Sequence, residues 1–493
     1  MLFNSGQFLL FFPVVVILYF IIPNAYRRYM LLAASYYFYM CWSVKHALLL
    51  AFSTVITFIS GLIIARLDSA GGDAQMLQRK KKLVVFASLF INLGILFVFK
   101  YANFFLSSFS KLSALFGAPA EAGPFINIVL PVGISFFTFQ ALSYTLDVYR
   151  GDIKPAKSLV DYALFVSFFP QLVAGPIEKS KDFLPQMYEV HPFDYGNLVK
   201  GLEKMLWGFF MKIVVADRAA VLVDTVYGNP SAFSGTQTLV ATIAFAFQIY
   251  CDFAGYTGIA VGAAQIMGFR LTENFNAPYF ATSIKDFWKR WHISLSTWFR
   301  DYLYIPLGGN RKGTARTYLN ILIVFAVSGL WHGAETSFIV WGALHGLYQV
   351  FGAAFENAVY KKRGIKKPTG WAINLFRGLR TFILVDFAWI FFRSSDMPQV
   401  ALVIKKIFTD ETFANFGAQL TSMGLDARGL TILALALVIL LLASILKQLG
   451  VSAKISGLPV WVRWPIYICG MFAVLYYGYY SVTGATQFVY FQF

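Results

Sequence analysis

The chain has 493 residues, of which 58% are hydrophobic and 13% are charged, whereas soluble globular domains carry about 25% charged residues. This composition, with 52 Phe and 27 Tyr, excludes an ordinary soluble domain and indicates a polytopic membrane protein. The 41 Lys and Arg outnumber the 24 Asp and Glu, which gives a net charge of +17. Because these cations lie in short runs between apolar segments, they indicate cytoplasmic loops and membrane lipids as partners, and not nucleic acid.

The first apolar run, MLFNSGQFLLFFPVVVILYFIIP, has no Lys or Arg before it and no small-residue cleavage site. It is therefore expected to be a retained first span and not a removed signal peptide. Arg27 and Arg28 follow directly, and basic residues at the end of a span mark its cytoplasmic side. The N-terminus is thus predicted to lie outside the cytoplasm.

Apolar segments that cross or nearly cross a bilayer recur along the whole chain. At roughly 20 residues for each span, they predict about ten to twelve transmembrane helices, with shorter re-entrant or interfacial helices between them. No polar interval is long enough for a soluble domain, so residues 1–493 are expected to form one integral-membrane domain. The apolar segments lie near residues 7–22, 30–43, 46–66, 83–100, 104–117, 126–146, 158–174, 203–224, 236–256, 317–331, 335–356, 373–392, 429–447 and 464–482.

Two further patterns concern turns and cysteines. The stretch GAPAEAGP, residues 117–124, predicts a short turn-forming loop. Cys41, Cys251 and Cys469 are isolated in apolar surroundings and form no C-x-x-C pair. The sequence therefore predicts neither a metal site nor a disulfide framework.

Residues 283–302 are predicted to form one amphipathic helix. Ser283 and Asp286 give a capping-box-like start, and Pro306 follows the end. In one interpretation the helix lies in the cytoplasmic interface with its basic face toward the headgroups. In the other, that face lines a polar cavity that accepts a phosphate-bearing anion. The polar face carries Lys285, Lys289, His292, Ser296 and Arg300.

His332 follows the apolar segment 317–331, and Gly329 and Gly333 bracket it. Glycines permit a break in a helix, and irregular backbone at membrane depth is tolerated where it lines a cavity. An imidazole near its ordinary pKa of ~6.5 can act as a general base toward a hydroxyl group; the alternative is a hydrogen-bonded structural histidine. His345 is predicted to face away and to be structural, because 13 residues turn a continuous helix by about 220°.

Asp252, in QIYCDFAGYTG, is a charged residue within a predicted span. An unpaired charge at membrane depth is costly, so Asp252 is expected to pair with Lys, Arg, Tyr or a backbone group. Alternatively, it lines the same cavity as the histidines.

Seven segments of the chain carry a resemblance to a known family. The sequence resembles the membrane-bound O-acyltransferase (MBOAT) family, most closely its bacterial alginate O-acetyltransferase branch, with a core signature region at about 131–347. The segments are PVGISFFTFQALSYTLDVYRG (131–151), FFPQLVAGPI (168–177), QIYCDFAGYTGIAVG (248–262), FWKRWHISLSTWFRDYLYIPLGGNRKG (287–313), GLWHGAETSFIVWGALHGL (329–347), FAWIFFR (387–393) and FVYFQF (488–493).

The resemblance implies an all-α polytopic fold whose transmembrane helices surround a central tunnel. It implies that His332, in G-L-W-H-G, is catalytic and that His292, in R-W-H, is its functional companion. It also implies an acyl donor that arrives from the cytoplasm, acetyl-CoA or a related thioester, and no metal. The function predicted is O-acetylation of an exported or cell-wall polysaccharide such as alginate, by a multi-pass protein of the bacterial cytoplasmic (inner) membrane.

Basic residues near the histidine motifs are predicted to attract the phosphates of the donor. A separate exported O-acetyltransferase is also expected as a partner, because the chain has no extracellular domain large enough to hold a long polymer. The candidate residues for substrate or donor binding are Lys285, Lys289, Arg290, Ser296, Arg300, Asp252, Arg311 and Lys312.

Two alternative functions remain open. Alginate-type members commonly have D-F-S-G-Y-S-D, whereas residues 252–258 are D-F-A-G-Y-T-G. The branch that transfers D-alanine to teichoic acid also has F-A-G-Y, so that donor and acceptor are the first alternative. The second is a lipid-linked saccharide transporter, because transporters share polar residues at membrane depth and broken helices. However, the sequence shows no internal repeat.

Overall fold

The computed structural model describes the chain except residues 115, 118–125, 127–128, 365, 411, 452–457, 481–487 and 490–493. Most of the loop predicted at 117–124 and the last four residues of FVYFQF therefore lie outside the described residues. The described residues form helices and turns without a β-strand, which confirms the all-α class. The α-helices are α1 (Gly6–Ile21), α2 (Asn24–Met40), α3 (Val44–Ser69), α4 (Ala74–Leu96), α5 (Ala102–Ala114), α6 (Ile134–Arg150), α7 (Leu159–Ser167), α8 (Phe169–Leu172), α9 (Ser180–Phe183), α10 (Tyr195–Phe209), α11 (Asp217–Gly228), α12 (Gly235–Ile266), α13 (Ile284–Arg290), α14 (Ile293–Phe299), α15 (Thr314–His332), α16 (Thr336–Phe355), α17 (Trp371–Arg393), α18 (Met397–Thr409), α19 (Phe416–Thr421), α20 (Ala427–Gln448) and α21 (Val460–Tyr477).

Wider and tighter helical turns join several of these helices. In the described part of the chain, four π-helical segments are present at Phe97–Tyr101, Phe210–Ala216, Arg300–Tyr304 and Glu356–Lys361. Short 3₁₀ turns are present at Leu184–Tyr188, Pro230–Ala232 and Pro278–Phe280.

Within the described part of the chain, seven helical runs are long and apolar enough to cross a membrane, which confirms a polytopic membrane protein. The figure of ten to twelve spans stays a prediction. Separate segments at 83–100 and 104–117 were predicted, and this division is wrong because no Gly or Pro interrupts the helix between them. The seven runs are Val44–Ser69, Ala74–Ala114, Gly235–Ile266, Thr314–His332, Thr336–Tyr360, Ala427–Gln448 and Val460–Tyr477.

The chain divides into two compact units. The first contains Met1–Gly201 and Ala260–Thr272, and the second contains Leu202–Ile259 and Glu273–Phe493. That residues 1–493 form one integral-membrane domain stays a prediction. The three histidines His292, His332 and His345 all lie in the second unit.

Buried polar side chains connect the helices of the first unit. The Ser53 hydroxyl donates to Asn92 Oδ1 at 2.5 Å and thereby links α3 to α4. The Tyr162 hydroxyl donates to Thr57 Oγ1 at 2.7 Å and links α7 to α3. Helices in a bilayer gain little from burying apolar surface against one another, so such hydrogen bonds and close contacts hold them together.

Glu178 makes the stability of the first unit depend on pH. Its carboxylate is 3% exposed and accepts hydrogen bonds from the backbone N–H of Thr272 at 2.6 Å and from its hydroxyl at 3.1 Å. Burial nevertheless raises the pKa of Glu178 from 4.5 to about 7. Between these two pH values the folded protein binds more protons than the unfolded chain, so stability is expected to fall as the pH rises through this window.

The expected slope is on the order of 1 kcal/mol per pH unit, measured as the unfolding midpoint followed by tryptophan fluorescence in detergent. Glu178→Gln cannot ionise and should flatten the slope. Glu189→Gln changes an exposed carboxylate of the same unit and serves as the control. Equal slopes for the wild type and Glu178→Gln would contradict the role given to Glu178.

Aromatic side chains dominate the core of the second unit. Trp291, Trp341 and Trp389 are each 0% exposed, and the rings of Trp341 and Trp389 stack with centroids 5.8 Å apart. Helices α15 and α16 form a hairpin whose connection spans residues 333–335. The candidate site is built at the end of this hairpin and at the junction of α13 with α14.

Candidate active site

His292 lies at a break between two short helices. Helix α13 ends at Arg290 and α14 begins at Ile293, and each has seven residues. Between them, the backbone of His292 has φ 44° and ψ 55°, a left-handed conformation that is uncommon for a residue with a side chain. The prediction of one continuous helix over 283–302 is therefore wrong, although its start is confirmed because the Ser283 side chain caps the Asp286 N–H.

Backbone contacts from an earlier segment hold His292 in this conformation. The Asn274 carbonyl accepts from the Ile293 N–H at 3.0 Å, and Asn274 Oδ1 accepts from the Ser294 N–H at 3.1 Å. The Asn276 N–H donates to the Arg290 carbonyl at 3.0 Å. A left-handed non-glycine residue costs about 1–3 kcal/mol and persists where neighbouring contacts determine it. These hydrogen bonds provide such contacts.

His332 is the last residue of α15, and Gly333 continues in extended backbone with φ −156°. The predicted break after His332 is confirmed. A Cβ on Gly333 would lie 2.2 Å from the Phe338 ring, so only glycine allows this ring to approach. The chain thereby turns directly after the histidine, and α16 folds back along α15.

Close contact between two glycines sets the crossing of α15 and α16. A Cβ on Gly342 would lie 2.2 Å from the Phe325 carbonyl oxygen and 3.1 Å from the Gly329 Cα. Gly342→Ala is expected to push the helices apart, at a cost of about 1–3 kcal/mol, and to lower acyl transfer because His332 is displaced.

Gly352→Ala provides the matched control, because Gly352 is in the same helix and a Cβ there would meet nothing within 4 Å. Unfolding midpoints and transfer rates of both variants check the prediction. A Gly342→Ala protein as stable and as active as Gly352→Ala would exclude a role for the close crossing.

The fold brings the imidazoles of His292 and His332 together. Their ring centroids are 6.5 Å apart, and the two rings are nearly perpendicular. Both side chains are buried, with 0% and 3% exposure respectively. The site is lined by aromatic rings with these centroid distances: Phe253 at 4.6 Å from His292, and Trp331 at 4.9 Å, Trp341 at 4.9 Å and Phe392 at 5.4 Å from His332.

His345 belongs to the same aromatic cluster, but Trp341 stands between it and His332. The Trp341 ring centroid lies 4.9 Å from His332 and 5.1 Å from His345. His345 Nδ1 accepts a hydrogen bond from Trp288 Nε1 at 3.2 Å. The rotation predicted for His345 is wrong because it assumed a continuous helix, whereas the helix ends at His332. The structural role predicted for His345 stays a prediction.

Burial makes the His292 imidazole neutral. His292 lies between two short helices, outside the candidate spans, and burial lowers its pKa to about 3. A neutral imidazole has one nitrogen that accepts a proton and one that donates a hydrogen bond. In this aromatic enclosure, a pair of neighbouring imidazoles can remove a proton from a hydroxyl and orient the reacting groups.

The predicted donor-binding cations do not share the burial of His292. The stripe predicted along 283–302 is wrong, because the break at His292 separates its two halves. The five cations Lys285, Lys289, Arg300, Arg311 and Lys312 are exposed, and their role in donor binding stays a prediction.

Three of the predicted polar residues have partners in the structure. Arg290 Nε pairs with Asp286 at 3.0 Å, and Arg300 Nε pairs with Asp301 at 2.7 Å. The half-buried Ser296 donates from its hydroxyl to the Trp291 carbonyl at 3.4 Å.

Asp252 is part of a buried ion-pair group. Lys212 Nζ lies 2.6 Å from Asp252 Oδ1 and 2.8 Å from Asp217 Oδ1. Asp252 Oδ2 accepts the Val489 N–H at 2.6 Å, and the Phe488 ring packs 5.5 Å from Phe253. Asp252 thus has the basic and backbone partners expected of a buried carboxylate. It supports the wall behind His292 through Phe253.

Two residues of this site were not predicted from the sequence. Asn274 fixes the turn at His292, and Lys212 forms ion pairs with both Asp252 and Asp217. A signal for Lys212 was present, because a lysine in the middle of the apolar segment 203–224 must find an acidic partner. No local pattern marked Asn274. Among the described residues, no group of three or more His, Cys, Asp or Glu could hold a metal ion.

Comparison with known proteins defines the class. The sequence profile of MBOAT, the membrane-bound O-acyltransferase family, matches residues 97–384. This match covers more than half of the chain and includes both His292 and His332. The protein belongs to the membrane-bound O-acyltransferase family and is an O-acyltransferase.

Three individual relatives show which acyltransferases the chain is similar to. The chain is 40% identical to a "probable alginate O-acetylase" of Pseudomonas aeruginosa over 84% of this chain and 76% of that protein. It is 34% identical to a peptidoglycan O-acetyltransferase of Helicobacter pylori over 82% of this chain and 79% of that protein. Identity to a teichoic acid D-alanyltransferase of Bacillus subtilis is 29%, over 51% of this chain and 67% of that protein.

Proposed function

We propose that this O-acyltransferase moves an acetyl group from a cytoplasmic thioester, acetyl-CoA, to hydroxyls of an exported or cell-wall polysaccharide such as alginate. The pair of buried imidazoles with ring centroids 6.5 Å apart carries the proposal. The relatives that act on alginate and peptidoglycan support a polysaccharide acceptor.

His332 is the proposed general base. It removes the proton of the acceptor hydroxyl while the hydroxyl oxygen attacks the thioester carbonyl carbon. A new C–O bond forms, the C–S bond breaks, and the proton passes to the departing thiolate. His292 is the proposed companion that orients or polarises the reacting groups. A covalent acetyl-histidine on the way to the acceptor gives the same net reaction.

The exposed cations fit a donor that arrives from the cytoplasm. Lys285 and Lys289 of α13, with Arg311 and Lys312, are proposed to attract the phosphates of the donor. Arg290 and Arg300 already pair with carboxylates, so their contribution to donor binding is smaller.

The proposed location is the bacterial cytoplasmic membrane, with the N-terminus outside. Protection of a cysteine placed at residue 4 from an impermeant reagent in intact cells would contradict that orientation.

A separate exported O-acetyltransferase is the proposed partner for the final transfer to the polymer. The tail and loops of this chain contain no large polar segment that could hold a long polysaccharide. Complete acetylation of polymer by this chain alone in proteoliposomes would contradict the need for a partner.

The test supplies acetyl-CoA with a labelled acetyl group to the purified protein in proteoliposomes, together with acceptor oligosaccharide. Transfer of label to base-labile ester, with release of free thiol, is the expected result. Absence of both products would contradict the proposed donor. A deletion strain is expected to lose ester-linked acetate from its envelope polysaccharide.

D-Alanyl transfer to teichoic acid is the second candidate. The F-A-G-Y sequence at residues 253–256 and the relative that acts on teichoic acid favour it. It keeps both histidines and changes the donor and the acceptor. Loss of ester-linked D-alanine with retained acetate in the deletion strain would establish this candidate in place of the first.

A further inference from the structure

The first unit contains a cavity of about 530 Å³ beside the start of α2. Its lining includes the basic residues Arg27, Arg28 and Lys157. It also includes an apolar side formed by Tyr19, Leu31, Leu164 and Phe269. All of these residues belong to the first unit, and neither His292 nor His332 is among the residues that line the cavity.

Arg27 is fixed in place by groups that leave its charge uncompensated. Its Nε donates to the Ile22 carbonyl at 3.1 Å, and Nη1 donates to the His191 carbonyl at 2.7 Å. The guanidinium also lies 4.8 Å from the centre of the Tyr19 ring. Carbonyls and an aromatic face orient a cation without neutralising it. No carboxylate of the described residues pairs with Arg27.

Lys157 supplies a second uncompensated charge. Its ammonium lies 4.7 Å from the centre of the Tyr188 ring, and it has no carboxylate partner in the described part of the chain. Two acidic residues also line the cavity. Asp161 is paired with Arg28 at 3.2 Å and accepts from the Ser158 hydroxyl at 2.7 Å, and Glu189 is exposed. The three cations Arg27, Arg28 and Lys157 outnumber the two carboxylates Asp161 and Glu189, so the lining of the cavity has a net positive charge.

We propose that this cavity binds the phosphate of an anionic ligand, either a phospholipid headgroup or a soluble phosphate ester. A guanidinium offers paired N–H donors that match phosphate oxygens, and Lys157 adds a point charge. Two Nη hydrogens of Arg27 are not used by the carbonyl contacts at Ile22, His191 and Phe20. The apolar side of the cavity receives the adjoining hydrocarbon of a lipid.

The position along the chain fits this ligand. Arg27 and Arg28 follow the apolar helix α1 by a few residues, which is the place where basic residues meet the headgroups of the cytoplasmic leaflet. Anionic lipids are concentrated there, and basic pockets between transmembrane helices bind their headgroups. This site does not depend on the proposed acetyl transfer.

The test uses the full chain in nanodiscs of phosphatidylcholine, with increasing mole fractions of phosphatidylglycerol. A ligand that binds the folded state raises the unfolding midpoint, and the rise grows with the logarithm of the ligand concentration above its Kd. In a second arm, glycerol 1-phosphate is added to nanodiscs without phosphatidylglycerol. A rise with phosphatidylglycerol alone assigns the site to lipid, and a rise with both assigns it to the phosphate group itself. Either result supports the proposal.

Variants distinguish the effect of losing a charge in the cavity from a general effect of substitution on the structure. Lys157→Gln should need about fivefold more ligand for the same rise, whereas Lys154→Gln, an exposed lysine outside the cavity lining, should respond like the wild type. Arg27→Lys should keep more of the response than Arg27→Gln, because it keeps the charge. No rise with either phosphate probe would overturn the proposal. So would equal rises for the wild type, Lys157→Gln and Arg27→Gln.

Discussion

Replacing His332 by alanine is expected to lower acyl transfer by about 10²–10⁴-fold, the usual contribution of a positioned general base. The residue lies at the end of α15, 3% exposed, and its ring is next to that of His292. Without the imidazole, no described side chain at this position can accept the proton of the acceptor hydroxyl. The rate is measured as transfer of labelled acetyl group from acetyl-CoA, and the unfolding midpoint is measured in parallel.

His46→Gln is the matched control, because His46 is a half-buried histidine of the first unit. It should transfer acetyl groups at the wild-type rate. His292→Ala should also lose activity, and the double variant should be little worse than His332→Ala if the two imidazoles act as a unit. A His332→Ala protein that is folded and fully active would remove the residue from the mechanism.

Lys212→Met is expected to destabilise the second unit by about 3–5 kcal/mol, the cost of removing one partner from a buried ion pair. Lys212 is 2% exposed and is the cation between Asp217 and Asp252, which are 4% and 1% exposed. Its removal leaves two buried carboxylates without their counter-charge. The midpoint of unfolding in detergent, followed by tryptophan fluorescence, measures the effect.

Lys204→Met tests whether any lysine of this region would do the same. Lys204 pairs with Glu273 at 2.6 Å, but its side chain is 38% exposed, and exposed pairs contribute about 0–1 kcal/mol. The expected order of stability is wild type, Lys204→Met close to it, and Lys212→Met far below. If the two methionine variants unfold at the same temperature, the buried group does not have the importance given to it.

The break at His332 could be predicted from the sequence, but the break at His292 could not. Gly329 and Gly333 mark the first locally, and the second helix starts where a new apolar segment starts. At His292 the apolar period of a helix continues without interruption, and neither Gly nor Pro is present. Asn274, 18 residues earlier in the chain, imposes the break through hydrogen bonds, so tertiary contacts override the local pattern.

The sequence predicted that Asp252 would have a partner, but it did not identify which residue that partner is. A carboxylate in an apolar segment must have a partner, and Lys212 is the partner that the fold provides. Forty residues separate the two along the sequence, and periodicity contains no information about that contact. For the predicted donor-binding cations, in contrast, a sequence pattern was visible but the structure did not follow it. Their helical spacing was clear, but the helix that would have aligned them is divided at His292.

The Val489 N–H that donates to Asp252 has a consequence for biosynthesis. Chains are made from the amino terminus, so His292, His332 and Asp252 are synthesised before Phe488 and Val489. A product of early termination or proteolysis that stops short of residue 488 carries both imidazoles, but it lacks the ring against Phe253 and the amide donor to Asp252. The enclosure of His292 is therefore completed only once translation has passed these residues, and truncated products do not possess the finished site.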